Sequence, residues 1–340
     1  MRQDFFYGGI TMRLKIFLLV ILALTISGCG GSGGTVNTNN TNGNNTTNNN
    51  TTQPTGFTEY LSAVPSSYFR ECTQKGTIIT EQYRSRDYTN NQEITKTAYV
   101  YLPYGYNESE RYDVFYLMHG LTMTAGSFFS DCDLSNMLDN MIHDGLIRPL
   151  IIVCVTFDAQ NQPQSFSRSQ EELLVFHNDF RNDLLPYIES KYSTFAENTT
   201  LEGLRASRTH RAFGGFSLGA VTTWHQFIYN LDLVKFFLPM SGDCWIMGTY
   251  GGRYYPAETT EYLEGVVNDG NWRGDDFYIF EGIGTDDPIF TQTDNQIQAM
   301  IKTQTFTPEN LHYGIIEGGR HDLVACETYM YHALRIFFGR

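Results

Sequence analysis

Positive charge is scarce in this sequence: 23 Lys and Arg stand against 37 Asp and Glu, a formal net charge of −14 over 340 residues. A nucleic-acid binder needs a basic surface for phosphates, so the acidic balance argues against that class. Attachment to anionic lipid through a basic patch is disfavoured for the same reason. Cysteine is sparse too. The 6 Cys form no C-x-x-C pair and no zinc-ligand spacing, which argues against a structural metal site. The N-terminal apolar run, Ile16 to Ile26, has only 11 residues and is too short to span a bilayer comfortably. No internal repeat is visible. Aromatic residues, by contrast, are plentiful. The chain has 24 Phe and 22 Tyr, and 41% of its residues are hydrophobic. That is enough for a sizeable core and excludes wholesale disorder.

The chain begins with an address. Arg13 and Lys15 precede the apolar run and small residues follow it, the pattern of a secretory signal. The segment closes Ile26-Ser27-Gly28-Cys29, which resembles the lipobox of bacterial lipoproteins. That resemblance implies lipidation of Cys29, which would become the mature N-terminus. Residues 1–29 are therefore expected to be a lipoprotein-type signal. The expected location is extracytoplasmic, lipid-anchored to the cell envelope or secreted, with membrane contact only through the anchor. Residues 30–55 hold only Gly, Ser, Thr, Val, Asn, Gln and Pro. They cannot bury enough surface to offset their ordering entropy and should form a flexible tether. A coil of this length spans roughly 28 Å end to end.

Residues 56–340 read as one domain with 20 basic and 36 acidic residues, a formal charge of −16. Apolar runs at Ala98–Leu102, Val114–Met118, Leu150–Thr156, Arg211–Phe216, Lys235–Pro239, Phe277–Glu281 and His312–Ile316 predict strands. Several are near-continuous, as in strands buried on both faces. Helical patterns fall at Asp133–His143, Leu173–Tyr192, Leu218–Asn230, Thr259–Asn268, Asp294–Thr303 and Leu323–Phe338. The alternation predicts an α/β fold with a mainly parallel central sheet and helices on both faces. Residues 56–95 carry weaker signals and are compatible with an edge hairpin. Of the five cysteines in this domain at least one must be unpaired in a monomer. Cys154, inside an apolar run, reads as a core thiol.

The chemistry centres on Gly214-Gly215-Phe216-Ser217-Leu218-Gly219, between a predicted strand and a predicted helix. That is the context of a nucleophile elbow, where a sharp turn exposes the serine hydroxyl and only glycine fits on either side. The Leu218 amide, at the helix start, can donate to an oxyanion. A serine needs a base, and the order Ser, acid, His is expected. His321 follows the last strand and fits. The other histidines sit in predicted helices or strands, or in the loop at His119. The acid should leave the strand Phe277–Glu281. Asp287 is the leading candidate, with Asp286 beside it and Asp243 in Ser241-Gly242-Asp243 as a third. The loop His119-Gly120-Leu121-Thr122 looks like the oxyanion loop of α/β-hydrolases, with Leu121 the second donor and Thr122 the alternative. His119 would then be structural.

Three segments are more specific than the elbow: ESKYST, SRTHRAFGGFSLG and LPMSGDCW. Through them the chain resembles carbohydrate esterase family one, and within it the feruloyl esterase modules of bacterial xylanases. The likeness runs from about Tyr99 to the C-terminus. It implies the α/β-hydrolase fold, Ser217 as nucleophile, Asp287 as acid, His321 as base, and Trp245 near an aromatic-acid pocket. It further implies hydrolysis of feruloyl or acetyl esters on plant cell-wall polysaccharide, with no metal or organic cofactor. A non-catalytic glycan-binding lipoprotein is the rival class. That rival leaves the ordered Ser, Asp and His unexplained.

Overall fold

The computed structural model describes residues 56–340; the signal segment, Cys29 and the tether lie outside the described residues. Nine strands form one sheet: β1 Thr58–Tyr60, β2 Thr77–Asp87, β3 Gln92–Leu102, β4 Asp113–Met118, β5 Leu150–Val155, β6 Arg211–Phe216, β7 Phe236–Met240, β8 Tyr278–Gly284 and β9 Leu311–Ile316. Their spatial order is β1-β9-β8-β7-β6-β4-β5-β3-β2. The strands from β1 to β5 in that order are parallel, and the hairpin β2–β3 closes one edge antiparallel. The chain reverses direction across the sheet at β4, which lies between β5 and β6. In open sheets of this kind ligands bind outside the carboxyl ends of the strands, near such a reversal.

Alternation along each strand explains the continuous apolar runs. Val114, Tyr116 and Met118 point into one core with Ile151, Val153 and Phe213, beneath the helices Phe166–Asp179, Leu218–Asn230, Pro256–Asp269 and Phe290–Met300. Phe115 and Leu117 point into the other with Ile152, Cys154 and Leu238, beneath Leu134–His143 and Leu323–Phe337. With both faces covered, almost every central-strand side chain is apolar. The fold is therefore the expected α/β sheet with helices on both faces. All five described cysteines are unpaired, and Cys154 is fully buried.

Two elements differ from expectation. The helix expected over Leu173–Tyr192 starts earlier, at Phe166, where the Ser165 hydroxyl caps it by accepting the Arg168 amide. It also widens into a π turn at Phe180–Leu184 before continuing as Leu185–Lys191. Pro186 lies just beyond that turn and lacks an amide donor, so the wider turn accommodates a ring that a regular helix would reject. The hairpin β2–β3 extends well beyond the apolar signal at Ala98–Leu102. Outside that run its buried positions are Glu81, Tyr83, Ser85, Asp87 and Lys96, every one of which carries a polar group. Lys96 Nζ donates to Asp179 Oδ2 at 2.8 Å, and the Glu81 carboxylate accepts from the Tyr187 and Tyr192 hydroxyls. Burial by paired polar groups leaves no hydrophobic alternation to read.

β6 carries the elbow at its far end, and its near end is locked by charge. Arg211 is buried and donates through Nη2 to Glu189 Oε2 at 2.8 Å, through Nε to Glu189 Oε1, and through Nη1 to the Leu233 carbonyl at 3.0 Å. Removing Glu189 would strand a buried guanidinium. Glu189→Ala is expected to lower unfolding free energy by about 3–5 kcal/mol in a denaturant titration. A loss under 1 kcal/mol would show that the pair does not anchor β6.

Candidate active site

Three glycine-flanked turns meet at the carboxyl edge of the sheet. Ser217 ends β6 with φ +58° and ψ −113°, a conformation that L residues rarely adopt. It is held by its amide, which donates to the Met240 carbonyl of β7 at 2.9 Å. Leu218 starts the helix immediately. The turn requires glycine on both sides. A Cβ at Gly215 would lie 2.5 Å from the Gly219 carbonyl oxygen, and one at Gly219 would lie 2.3 Å from that of Met118.

Ser217 Oγ is 2.9 Å from His321 Nε2, and His321 Nδ1 is 2.9 Å from Asp287 Oδ2 and 3.1 Å from Oδ1. A carboxylate only accepts, so Nδ1 carries the proton and Nε2 is free to accept from the serine hydroxyl. The imidazole rests on the Phe216 ring, 4.5 Å between centroids. Asp287 is buried, and its Oδ1 also accepts the Ile289 amide at 2.9 Å. The acid and base loops are stitched together. The Thr285 amide donates to the Ile316 carbonyl and the Asp286 amide to that of Gly319, both at 3.0 Å, and the Gly318 amide donates to Thr285 Oγ1 at 2.8 Å. One residue past the base, the Asp322 carboxylate caps the final helix by accepting the Ala325 amide.

The structure thus brings Ser217, Asp287 and His321 together and leaves the two other acids elsewhere. The Asp286 side chain is exposed. Asp243 is buried, accepts Trp245 Nε1 at 2.9 Å and the Gly252 amide at 2.8 Å, and so pins the loop after β7. Trp245 is buried, edge-on to Phe166 and Tyr250. Trp245 and Tyr250 follow Gly242 in the chain, where a Cβ would lie 2.8 Å from the Ser217 carbonyl oxygen. Leu121 lies in the loop after β4, which rides on the elbow: a Cβ at Gly120 would be 3.2 Å from Ser217 Cβ. Thr122 in that loop has φ +66°, uncommon for a β-branched residue and a sign of a constrained turn. His119 is buried, and burial pushes its imidazole down to about 4. Sequence reading missed the supports behind these groups, Phe216 under the base, Gln296 on the Cys244 amide and Thr156 beside His119. Their residue types are unremarkable for core, and no spacing marks them.

A mostly parallel sheet with a serine, an imidazole and a carboxylate in line at its carboxyl edge defines an esterase of the α/β-hydrolase class. The chain belongs to the Esterase family, whose model, described as "Putative esterase", matches residues 90–333. It is 36% identical over 297 residues to endo-1,4-beta-xylanase Y of Acetivibrio thermocellus, covering 84% of this chain and 26% of that protein. It is 28% identical over 234 residues to an endo-1,4-beta-xylanase/feruloyl esterase of Xylanibacter ruminicola, covering 67% of this chain and 27% of that one. The chain therefore spans about a quarter of the length of these curated relatives. Among solved structures it is similar to a serine-to-alanine mutant of the feruloyl esterase module from Clostridium thermocellum complexed with sinapinate. The TM-score is 0.73 at 33% identity, covering 83% of this chain and 94% of that one. The resemblance to carbohydrate esterase family one holds.

Asp243 gives a pH test of the loop it pins. Burial pushes its carboxyl up from 3.8 to about 6. The folded state therefore holds this proton more tightly than the unfolded state. Its stabilising contribution is full below about pH 4 and is lost as pH rises through about 6. Asp243→Asn removes the titration. The stability of the parent relative to this variant should fall by up to about 3 kcal/mol between pH 4 and pH 7. A flat difference across that range in thermal unfolding would overturn the assignment.

Proposed function

We propose that this domain is a serine esterase that releases hydroxycinnamoyl groups, such as feruloyl, from plant cell-wall arabinoxylan. The carrying observation is the continuous contact from Ser217 Oγ through His321 to Asp287. In the proposed cycle Ser217 Oγ attacks the ester carbonyl and its proton passes to His321 Nε2. Asp287 holds the imidazole in the required tautomer and offsets its charge. The carbonyl oxygen becomes an oxyanion facing the amides of Leu218 and Leu121. Collapse breaks the ester C–O bond, and the proton on Nε2 goes to the departing sugar alcohol. Water then attacks the acyl-serine by the same steps and frees the acid.

The rings of Phe166, Trp245 and Tyr250, packed on one another at the loop after β7, support an aromatic acyl group. The sinapinate bound to the Clostridium thermocellum module, a hydroxycinnamate, supports the same substrate class. We also propose that the domain works outside the cytoplasm, anchored by lipid on Cys29, a reading that rests on the lipobox-like sequence.

Ser217→Ala is expected to lower kcat on methyl ferulate by about 10⁶-fold and Asp287→Asn by about 10⁴-fold. Retained hydrolysis by the alanine variant would reject the serine. In a rate panel, faster release of acetate from acetylated xylan than of ferulate from arabinoxylan would move the substrate to the acetyl class. Cys29→Ala should shift the protein from the membrane fraction to the soluble fraction. An unchanged distribution would reject the lipid anchor.

A further inference from the structure

The loop after β4 contains a hydrogen-bond chain that the cycle above does not use. His119 Nδ1 is 2.7 Å from the Gly120 carbonyl oxygen, and His119 Nε2 is 2.7 Å from Thr156 Oγ1. A carbonyl cannot donate, so Nδ1 carries the proton and Nε2 must accept. Thr156 then donates its hydroxyl proton to Nε2. The same Thr156 oxygen accepts the Asp158 amide at 3.0 Å, which turns the hydroxyl toward the ring. Asp158 itself stands 3.8 Å from Nε2, beyond hydrogen-bond reach. The low pKa that burial gives His119 agrees with a neutral ring.

The Gly120 carbonyl and the Leu121 amide belong to one planar trans peptide, so they point in opposite directions. The carbonyl is fixed twice, by His119 Nδ1 and by the Met123 amide at 3.3 Å. Thr156 immediately follows β5, and β4 lies between β5 and β6. A carbonyl drawn toward the ring on the β5 side leaves the Leu121 N–H facing the β6 side, where Ser217 sits. No acceptor takes the Leu121 amide among the described residues.

We propose that Thr156 is a positioning residue, which through the tautomer and orientation of His119 aims the Leu121 amide at the developing oxyanion. This deepens the esterase reading and rests on it. The Thr156 hydroxyl touches no substrate. Its effect falls on the transition state, because the oxygen gains charge only there.

Thr156→Val keeps the shape of the side chain and removes the hydroxyl. We expect kcat on methyl ferulate to fall by roughly 10–100-fold with KM nearly unchanged, since loss of a whole oxyanion donor costs about 10²–10³-fold. Thr156→Ser restores the hydroxyl and should bring kcat back to within about threefold of the parent. Imidazole ¹⁵N spectra of the parent should show His119 protonated at Nδ1 and accepting at Nε2, with the Nε2 resonance displaced in Thr156→Val. Unchanged kcat in a folded Thr156→Val, or a parent protonated at Nε2 of His119, would overturn the proposal. Should the valine variant not fold, the serine variant and the parent spectrum still decide it. A fully active Thr156→Val beside an inactive Ser217→Ala would sink this proposal and leave the esterase reading standing. A parent that hydrolyses no ester would sink both.

Discussion

Everything at the candidate site depends on how closely the backbone of the elbow approaches β4. A serine with φ +58° between strand and helix is tolerable only where the flanking positions carry no Cβ. Gly219 permits contact with the Met118 carbonyl, and that contact seats the helix start beside the loop of His119 to Thr122. The serine hydroxyl, the Leu218 amide and the Leu121 amide are thus fixed on one scaffold before any substrate arrives. The Arg211–Glu189 pair and the two covered faces of the sheet supply the stiffness that keeps the strained turn in place. Preorganised donors of this kind need no rearrangement when charge develops.

Electrostatics inside the domain runs opposite to its composition. The chain is strongly acidic, yet several carboxyls behind the site are poorly placed to ionise. Burial raises Asp243 to about 6 and, with Glu172 nearby, Asp158 to about 7. Glu281, on the strand that leads to Asp287, is fully buried with neither oxygen hydrogen-bonded, and its carboxyl is pushed well above the usual range. The Asp287 carboxylate, by contrast, has two hydrogen-bond donors, His321 Nδ1 and the Ile289 amide.

Much of this was legible in the amino-acid order. The central strands announced themselves because burial on both faces demands unbroken apolar runs, and Arg211–Phe216 and Leu218–Asn230 fall where expected. Chain order alone brought Ser217, an acid after β8 and His321 into one hypothesis. Sequence could not choose firmly between Asp286 and Asp287, because exposure within the five-residue loop 285–289 depends on how that loop is tied to its neighbour. The outer half of β2–β3 was hidden because its interior is made of paired polar groups. The π turn was hidden because Pro186 can be met by a kink or by a wider turn, and the choice is tertiary. Thr156 was invisible as a support because its partner, His119, lies on a different strand's loop.

The N-terminal strand β1 runs parallel to β9, pairing Thr58 with Tyr313 and Tyr60 with Ile315. All carboxyl ends of the parallel strands share the edge that bears Ser217 and His321, so the chain enters β1 from the opposite edge. The first described residues therefore lie at the back of the sheet, across from the edge where Ser217 and His321 meet.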